Sequence, residues 1–284
     1  MDKINLTCQG CSNHCPLLGF SNDFMFGKIM QNPKICKPFL ERVLGVKIYR
    51  IEYIEPQKQI DLKADARSVR LDIYVEDEEH TVYDCEMQTT PNRNLPKRSR
   101  YYQGQIDINL INKGMDYKSL KKSLIIFICT FDPLGKGAYV YTFRNVCKEF
   151  PDLELGDDAW KIFLSTKGTN TDSVSPELVD LLRYIEKSEL PQGCQDALLC
   201  DMDTSLKAAR TNSEWRKDFM TLEMLKRECH EEGREEGLEE GLKKGENRFG
   251  ALCSKLLVED RYKDLEQAAV DAEYRQQLYK KYGL

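Results

Sequence analysis

From Phe20 to Leu44 the apolar residues recur at helical spacing: Phe24, Ile29 and Met30, then Phe39, Leu40, Val43 and Leu44. Asn32-Pro33 divides this stretch into two helices, and Gly45 stands where a left-handed cap would end the second. Val46 to Ile54 alternates apolar and polar residues, the pattern of a strand. Val69 to Val75 alternates more strictly, with Val69, Leu71, Ile73 and Val75 on one face and Arg70, Asp72 and Tyr74 on the other. The polar run Glu76-Asp77-Glu78-Glu79 predicts a turn, and Thr81 to Gln88 the returning strand. A loop rich in Pro and Asn precedes a long helix from Lys97 to about Lys113, closed by Gly114. Leu124 to Phe131, Ala138 to Val146 and Trp160 to Leu164 read as three more strands. Beyond Gly168 the pattern is helical throughout: Pro176 to Glu186, Gln195 to Arg210, Ser213 to about Asn247, and Phe249 to Lys281.

This order predicts an α/β core, a mixed sheet flanked by helices, with an all-helical C-terminal extension. The expected parts are a Cys-rich segment over 1–19, a core over 20–168 and a helical region over 169–284. Composition agrees with a folded chain: of 284 residues, 41% are apolar and 31% charged, with only 10 Pro and 17 Gly. No apolar run reaches the roughly 18 residues of a membrane span, and the N-terminus lacks a signal-peptide core. A soluble, cytoplasmic protein is expected, with no membrane partner. The net charge of −5 argues against a protein that coats nucleic acid, though a local basic surface remains compatible with it. Most of the 11 Cys fall inside apparent strands or helices and read as reduced core thiols.

The chemistry-bearing residues sit on the hairpin. Asp84, Glu86 and Gln88 share one face of the second strand, and Tyr83, Cys85 and Met87 the other. If the aliphatic row and the Tyr-Cys-Met row form one buried face, Asp72 and Glu86 project together from the opposite side. Neighbouring strands lie about 4.8 Å apart, so two such carboxylates can chelate one divalent cation. A metal there can activate water at a phosphodiester. Gln88 could orient that water or a phosphate oxygen, but it cannot act as a base. The plain alternative is the solvent face of a hairpin.

Asp72, Glu86-Met-Gln88 resembles the D…(E/D)xK metal motif of the PD-(D/E)xK nuclease superfamily, with Gln in place of Lys. The "EMQ" variant followed by "RSRYYQGQI" (Arg98 to Ile106) is similar to the recombination-promoting nuclease/putative transposase family, known as Rpn. So are the opening "SNDFMFGKIM" (Ser21 to Met30) and the ending "EEGREEGLEEGLKKG" (Glu231 to Gly245). The resemblance covers roughly Phe20 to Leu164 plus this tail. It implies a restriction-endonuclease-like fold and Mg²⁺-dependent cleavage of DNA. It places metal ligands at Asp72 and Glu86, Gln88 in the position of the superfamily lysine, and Asp23 as an acidic residue that could complete the site. Asp23 reads equally well as a first-turn acid favoured by the helix dipole. Gly27 departs from the pattern, where the family usually has Lys, and Lys28 lies about 100° around the helix.

Arg93 to Lys122 carries eight basic and two acidic residues, the best candidate DNA face in an acidic chain. Within it Lys97, Arg98, Arg100 and Tyr102 are the candidate contacts, Arg98 and Tyr102 sharing a helix face at i, i+4. Cys8, Cys11 and Cys15, with His14 between, resemble half of a structural zinc site, to be completed by Cys36 or by His14 with Cys15. Gly233, Gly237, Gly241 and Gly245 recur every four residues in a segment (Ser213 to Glu246) with seven basic and eleven acidic residues. That suits self-association or a partner helix better than DNA. The leading expectation is a metal-dependent DNA endonuclease. The alternative is a nuclease-fold protein, weak or inactive in catalysis, that binds DNA or serves assembly.

Overall fold

The computed structural model describes residues 18–60, 69–111 and 114–284. They divide into two compact units, Met1–Arg216 and Lys217–Leu284.

The first unit is built on a six-stranded sheet in the order β1-β2-β3-β4-β6-β5. Its strands are β1 (Ile51–Ile60), β2 (Val69–Asp77), β3 (Val82–Gln88), β4 (Ser123–Cys129), β5 (Val140–Phe143) and β6 (Ala159–Ser165). β1, β2 and β3 form an antiparallel meander. β3, β4 and β6 run parallel, and β5 pairs antiparallel to β6 at the edge. Parallel neighbours need a crossover, and helix α3 (Leu95–Leu110) supplies it between β3 and β4. β4 reads Ser-Leu-Ile-Ile-Phe-Ile-Cys and is buried at every position, as a strand covered on both faces should be. This mixed sheet flanked by helices is the expected restriction-endonuclease-like architecture.

α1 (Asp23–Met30) is capped by Asn22, whose side chain accepts from the Met25 N–H at 3.2 Å. α2 (Pro33–Leu44) starts at Pro33 behind an Asn32 cap and ends at Gly45. Gly45 has φ +67°, the left-handed conformation that favours glycine. The predicted break at Asn32-Pro33 and the predicted stop at Gly45 are both present.

Residues 46–50 are not strand, although they alternate. The Ile48 N–H donates to Glu41 Oε1 at 2.9 Å rather than to a neighbouring strand. The β1 ladder begins only at Ile51 opposite Asp77, with a register shift before Tyr53. β5 is likewise shorter than its alternating stretch. Gly135 and Gly137, with φ +69° and +71°, turn the chain just before it.

α3 lays Leu95, Tyr102 and Ile106 onto Tyr74, Val82, Ile125, Phe127 and Phe163. Tyr102 and Phe163 stack against Phe127 with ring centres 6.3 and 5.5 Å away.

Helices α4 (Pro176–Lys187) and α5 (Ala197–Thr211) belong to the same unit as the sheet. The Ser188 hydroxyl accepts from the Phe20 N–H at 2.7 Å, and Arg210 Nε donates to the Leu18 carbonyl at 2.8 Å. Arg42 on α2 makes a two-pronged pair with Asp196 at 2.7 and 3.1 Å. Asp196 is also the α5 N-cap, accepting from the Leu199 N–H. Replacing Asp196 with Ala removes a cap and a fork-shaped ion pair together. The expected cost is about 2 kcal/mol, read as a lower midpoint in urea denaturation. An unchanged midpoint would mean the two contacts contribute nothing.

In the second unit the chain continues the 46-residue helix α6 (Ser213–Val258). α7 (Tyr262–Val270) and α8 (Ala272–Tyr282) fold onto its end, burying Leu252, Leu256, Ala268, Leu278 and Tyr279. Gly233, Gly237, Gly241 and Gly245 have nothing within 4 Å of where a Cβ would sit. Among the described residues no helix is long and apolar enough to cross a membrane.

Candidate active site

β2 and β3 pair antiparallel with Ile73 opposite Cys85 and Tyr74 opposite Asp84. One step further, Asp72 comes opposite Glu86, and the backbone ladder stops. The carboxylates replace it. The Asp72 N–H donates to Glu86 Oε1 at 3.0 Å, and the Met87 N–H donates to Asp72 Oδ2 at 2.9 Å. Each acid thus takes the place of a carbonyl on the facing strand. On its other side β3 keeps its ladder with β4 through Gln88 opposite Cys129. The two carboxyls stand where β2 parts from β3.

The carboxylate face is covered by α3, so it is no solvent face. Glu86 is 1% exposed and Asp84 is 0% exposed. Arg98, in the first turn of α3, reaches back into this layer. Its Nη2 donates to Glu86 Oε2 at 2.6 Å, its Nη1 to Gln88 Oε1 at 2.8 Å, and its Nε to the Tyr102 hydroxyl at 2.7 Å. The guanidinium also lies over the Tyr102 and Phe127 rings, 4.9 and 5.5 Å from their centres. Gln88 is held from both ends, because its Nε2 donates to the Thr90 carbonyl at 3.0 Å. A guanidinium has only donors to offer, so the Gln88 amide oxygen must face it.

Asp84 shares the strand face of Glu86 two residues away. No N–H or O–H donor among the described residues reaches either of its oxygens. Burial, and then the charges of Glu86 and Asp72, push its carboxyl far above the ordinary range. The raised carboxyl favours a proton held between Asp84 and the adjacent Glu86 carboxyl. Glu86 is itself pushed up to about 8, first by burial and then by Asp72, against the opposing pull of Arg98 and the Asp72 N–H. Burial and the Glu86 charge also raise the Tyr102 phenol.

These shifts fix the sign of a pH effect. The Glu86 carboxyl holds its proton more tightly folded than unfolded, where 4.5 is its ordinary value. The stability linked to that proton is full below 4.5 and is lost as pH rises through about 8. The melting temperature of the wild-type chain should therefore fall between roughly pH 5 and pH 8. A curve that rises across this window would contradict the buried, proton-retaining Glu86.

The structure brings together Asp72, Glu86, Gln88, Arg98 and Tyr102 of the residues picked out by sequence. Lys97 and Arg100 are exposed on α3, while Tyr102 is buried against the sheet. Asp23 is exposed in the first turn of α1 and its Oδ1 accepts from the Phe24 N–H at 2.8 Å; the cap itself is Asn22. Lys28 lies over the Phe24 and Trp215 rings, at 5.5 and 5.7 Å. The zinc candidates Cys8, Cys11, His14 and Cys15 lie outside the described residues. Cys36 is fully buried on α2, where burial pushes its thiol up to about 12. Among the described residues no group of three or more His, Cys, Asp or Glu side chains is arranged to hold a metal.

Two features were not singled out by sequence reasoning: the fully buried Asp84 and the inward turn of Arg98. Asp84 was visible as a third acid on the Glu86 face. Nothing local to Arg98 distinguishes a cation aimed at the sheet from one aimed at solvent.

Residues 19–149 match the family model of a PD-(D/E)XK nuclease family transposase. The match bears out, over that stretch, the resemblance carried by the motifs, and it contains Asp72, Glu86, Gln88 and Arg98. No curated protein and no solved structure matches the chain.

Proposed function

We propose that the chain is a metal-dependent DNA endonuclease whose active site is the fork between β2 and β3. The family match supports a nuclease or transposase-like function. The observation that carries the finer reading is the pair of carboxylates, Asp72 and Glu86, each bonded to the other's strand where the ladder ends. Their donor set fits a hard divalent cation, which takes carboxylate oxygens and fills its remaining positions with water and phosphate. Charge fits as well: Asp72, Asp84 and Glu86 crowd one face, and burial and mutual repulsion raise Asp84 and Glu86.

Asp72 and Glu86 would hold the cation, which when bound supplies Lewis-acid polarisation and a more acidic water. The chain's own residues account for the rest. Arg98 balances the Glu86 charge and offers a guanidinium beside any phosphate brought to the fork. Gln88 presents a fixed amide that orients a water or a phosphate oxygen. The Asp84–Glu86 pair stores a proton within the site. Exposed Lys97 and Arg100 reach the phosphate backbone outside it.

A second reading is favoured by one contact. Arg98 already neutralises Glu86 at 2.6 Å, and Gln88 stands where the motif has lysine. Both would suit a protein that keeps the fold to bind DNA and cleaves slowly or not at all.

Supercoiled-plasmid nicking in Mg²⁺ and Mn²⁺, comparing wild type with Asp72→Asn, separates the two. The introduced amide oxygen can still accept the Met87 N–H, so the variant should fold, which circular dichroism checks. Cleavage by wild type alone supports the endonuclease. DNA binding by a folded wild type that never nicks would leave the binding module as the better account.

A further inference from the structure

The turn that leads into α5 brings two thiols together. The Cys194 N–H donates to the Pro191 carbonyl at 3.1 Å, closing a turn through Gly193 at φ +73°. Asp196 then caps the helix, and the Cys200 N–H donates to the Asp196 carbonyl at 3.0 Å. A chain that enters a capped helix in this way passes beside the end of its first turn, a contact that hydrophobic staples use. Here the contact is between sulfurs. The Cys200 thiol points at the Cys194 carbonyl, 3.8 Å away, and the two thiols lie within hydrogen-bonding contact of each other.

Both thiols are partly exposed, so a small reagent can reach them. Cys36 and Cys85 are fully buried, and Cys229 is exposed on the long helix α6. Two thiols held side by side react as neighbours. Once one of them carries a mixed disulfide, the other attacks it without a further encounter. Partial burial, and then the Cys194 thiol, hold the Cys200 thiol above its ordinary value. The reduced pair is therefore not stabilised as a thiolate, and that condition favours the disulfide.

We propose that Cys194 and Cys200 are a redox modification site, closing to a disulfide when the chain meets a small-molecule disulfide such as oxidised glutathione. One cysteine, as its thiolate, attacks a sulfur of the reagent and displaces one reduced thiol. The second cysteine then attacks the bound protein sulfur and displaces the other. The reagent's S–S bond is lost and one S–S bond forms in the protein. The two protons and two electrons of the cysteine S–H bonds leave with the two reduced small thiols. Thiols already in contact need only close to the bonded S–S length of about 2.0 Å. The ring so formed contains Asp196, the α5 cap that pairs with Arg42, so oxidation fastens the start of α5 to the turn before it. The inference does not depend on cleavage at the β2–β3 fork.

Trypsin leaves both residues in one peptide, Ser188 to Lys207. The folded full-length chain is incubated with rising oxidised glutathione until Cys229 carries an adduct. Free thiols are then blocked with iodoacetamide, and the tryptic peptides are read by mass spectrometry without reduction. The Ser188–Lys207 peptide should be lighter by two hydrogens than its reduced form, with neither glutathione nor blocking group attached. Dithiothreitol added before the blocking step should restore two blockable thiols. In Cys200→Ser, Cys194 should keep glutathione, as Cys229 does. Circular dichroism of the oxidised chain should match that of the reduced one. The proposal is overturned if, with Cys229 modified, the wild-type peptide carries glutathione or a blocking group instead of the internal bond. It is equally overturned if the bond forms only in urea, or if forming it costs the chain helix.

Discussion

If the β2–β3 fork cleaves DNA as proposed, replacing Glu86 with glutamine should slow cleavage strongly and lower stability by about 1 kcal/mol. The substitution keeps the shape of the side chain and keeps an oxygen for the Asp72 N–H. It removes the charge that Asp84 and Asp72 oppose, on a group that is only 1% exposed. It also strands Arg98 without its carboxylate and sets an amide N–H₂ against one of two donors, the guanidinium or the Asp72 N–H, so the gain in desolvation offsets only part of the loss. Catalysis has no such compensation. Loss of a carboxylate proposed to hold a metal is expected to slow nicking on the order of a thousandfold, about 4 kcal/mol of barrier. The fall of melting temperature with pH should flatten in the same variant, because the raised carboxyl is gone. Plasmid nicking and thermal melts at several pH values check both halves. A variant that still cleaves at wild-type rate would remove Glu86 from the active site.

Arg98→Met is expected to lower stability further, from the other side of the same pair. It keeps much of the aliphatic bulk over Tyr102 and Phe127 but leaves Glu86 buried without its cation. Stranding one partner of a buried pair commonly costs about 3–5 kcal/mol; with the guanidinium half-exposed, about 2 kcal/mol is the expected loss. Gln88 also loses the donor that faces its amide oxygen, so cleavage should drop as well. The double variant Arg98→Met with Glu86→Gln should recover most of the lost stability, since no charge is then left behind. Urea denaturation of the four proteins gives the coupling directly. Additive losses would mean that Arg98 and Glu86 do not act as a pair.

The hairpin is legible from residue types because each strand keeps one apolar row, and a slip of one residue would turn that row outward. That is why Asp72 and Glu86 emerge as facing partners without any geometry. β4 is legible for a different reason, its unbroken apolar run. Periodicity says which residues share a face, but not what covers it. The carboxylate face of β3 resembles an exposed one, and only the docking of α3 across it, through Leu95, Tyr102 and Ile106, buries Asp84 and Glu86. Arg98 has the same ambiguity: helical spacing pairs it with Tyr102, yet not with Gln88 ten residues back on a strand. Residues 46–50 alternate like a strand, but a single bond to the Glu41 side chain decides their path, and alternation carries no record of it. The long helix from Ser213 is recognisable by composition, whereas the end of its regular run at Val258 depends on how α7 and α8 pack on it.

The parallel pairing of β3 with β4 sets an order on the birth of activity. Glu86 is held to Phe127 and Gln88 to Cys129, partners some forty residues downstream. A hairpin of β2 and β3 forms early, from neighbours in sequence, but it carries the acids alone. Closing the longer loop is slower, because its entropy must be lost before its contacts form. A chain emerging from the ribosome therefore has both carboxylates long before it has the strand that braces them or a settled α3 that delivers Arg98. The proposed site is complete only once β4 has been synthesised and has docked.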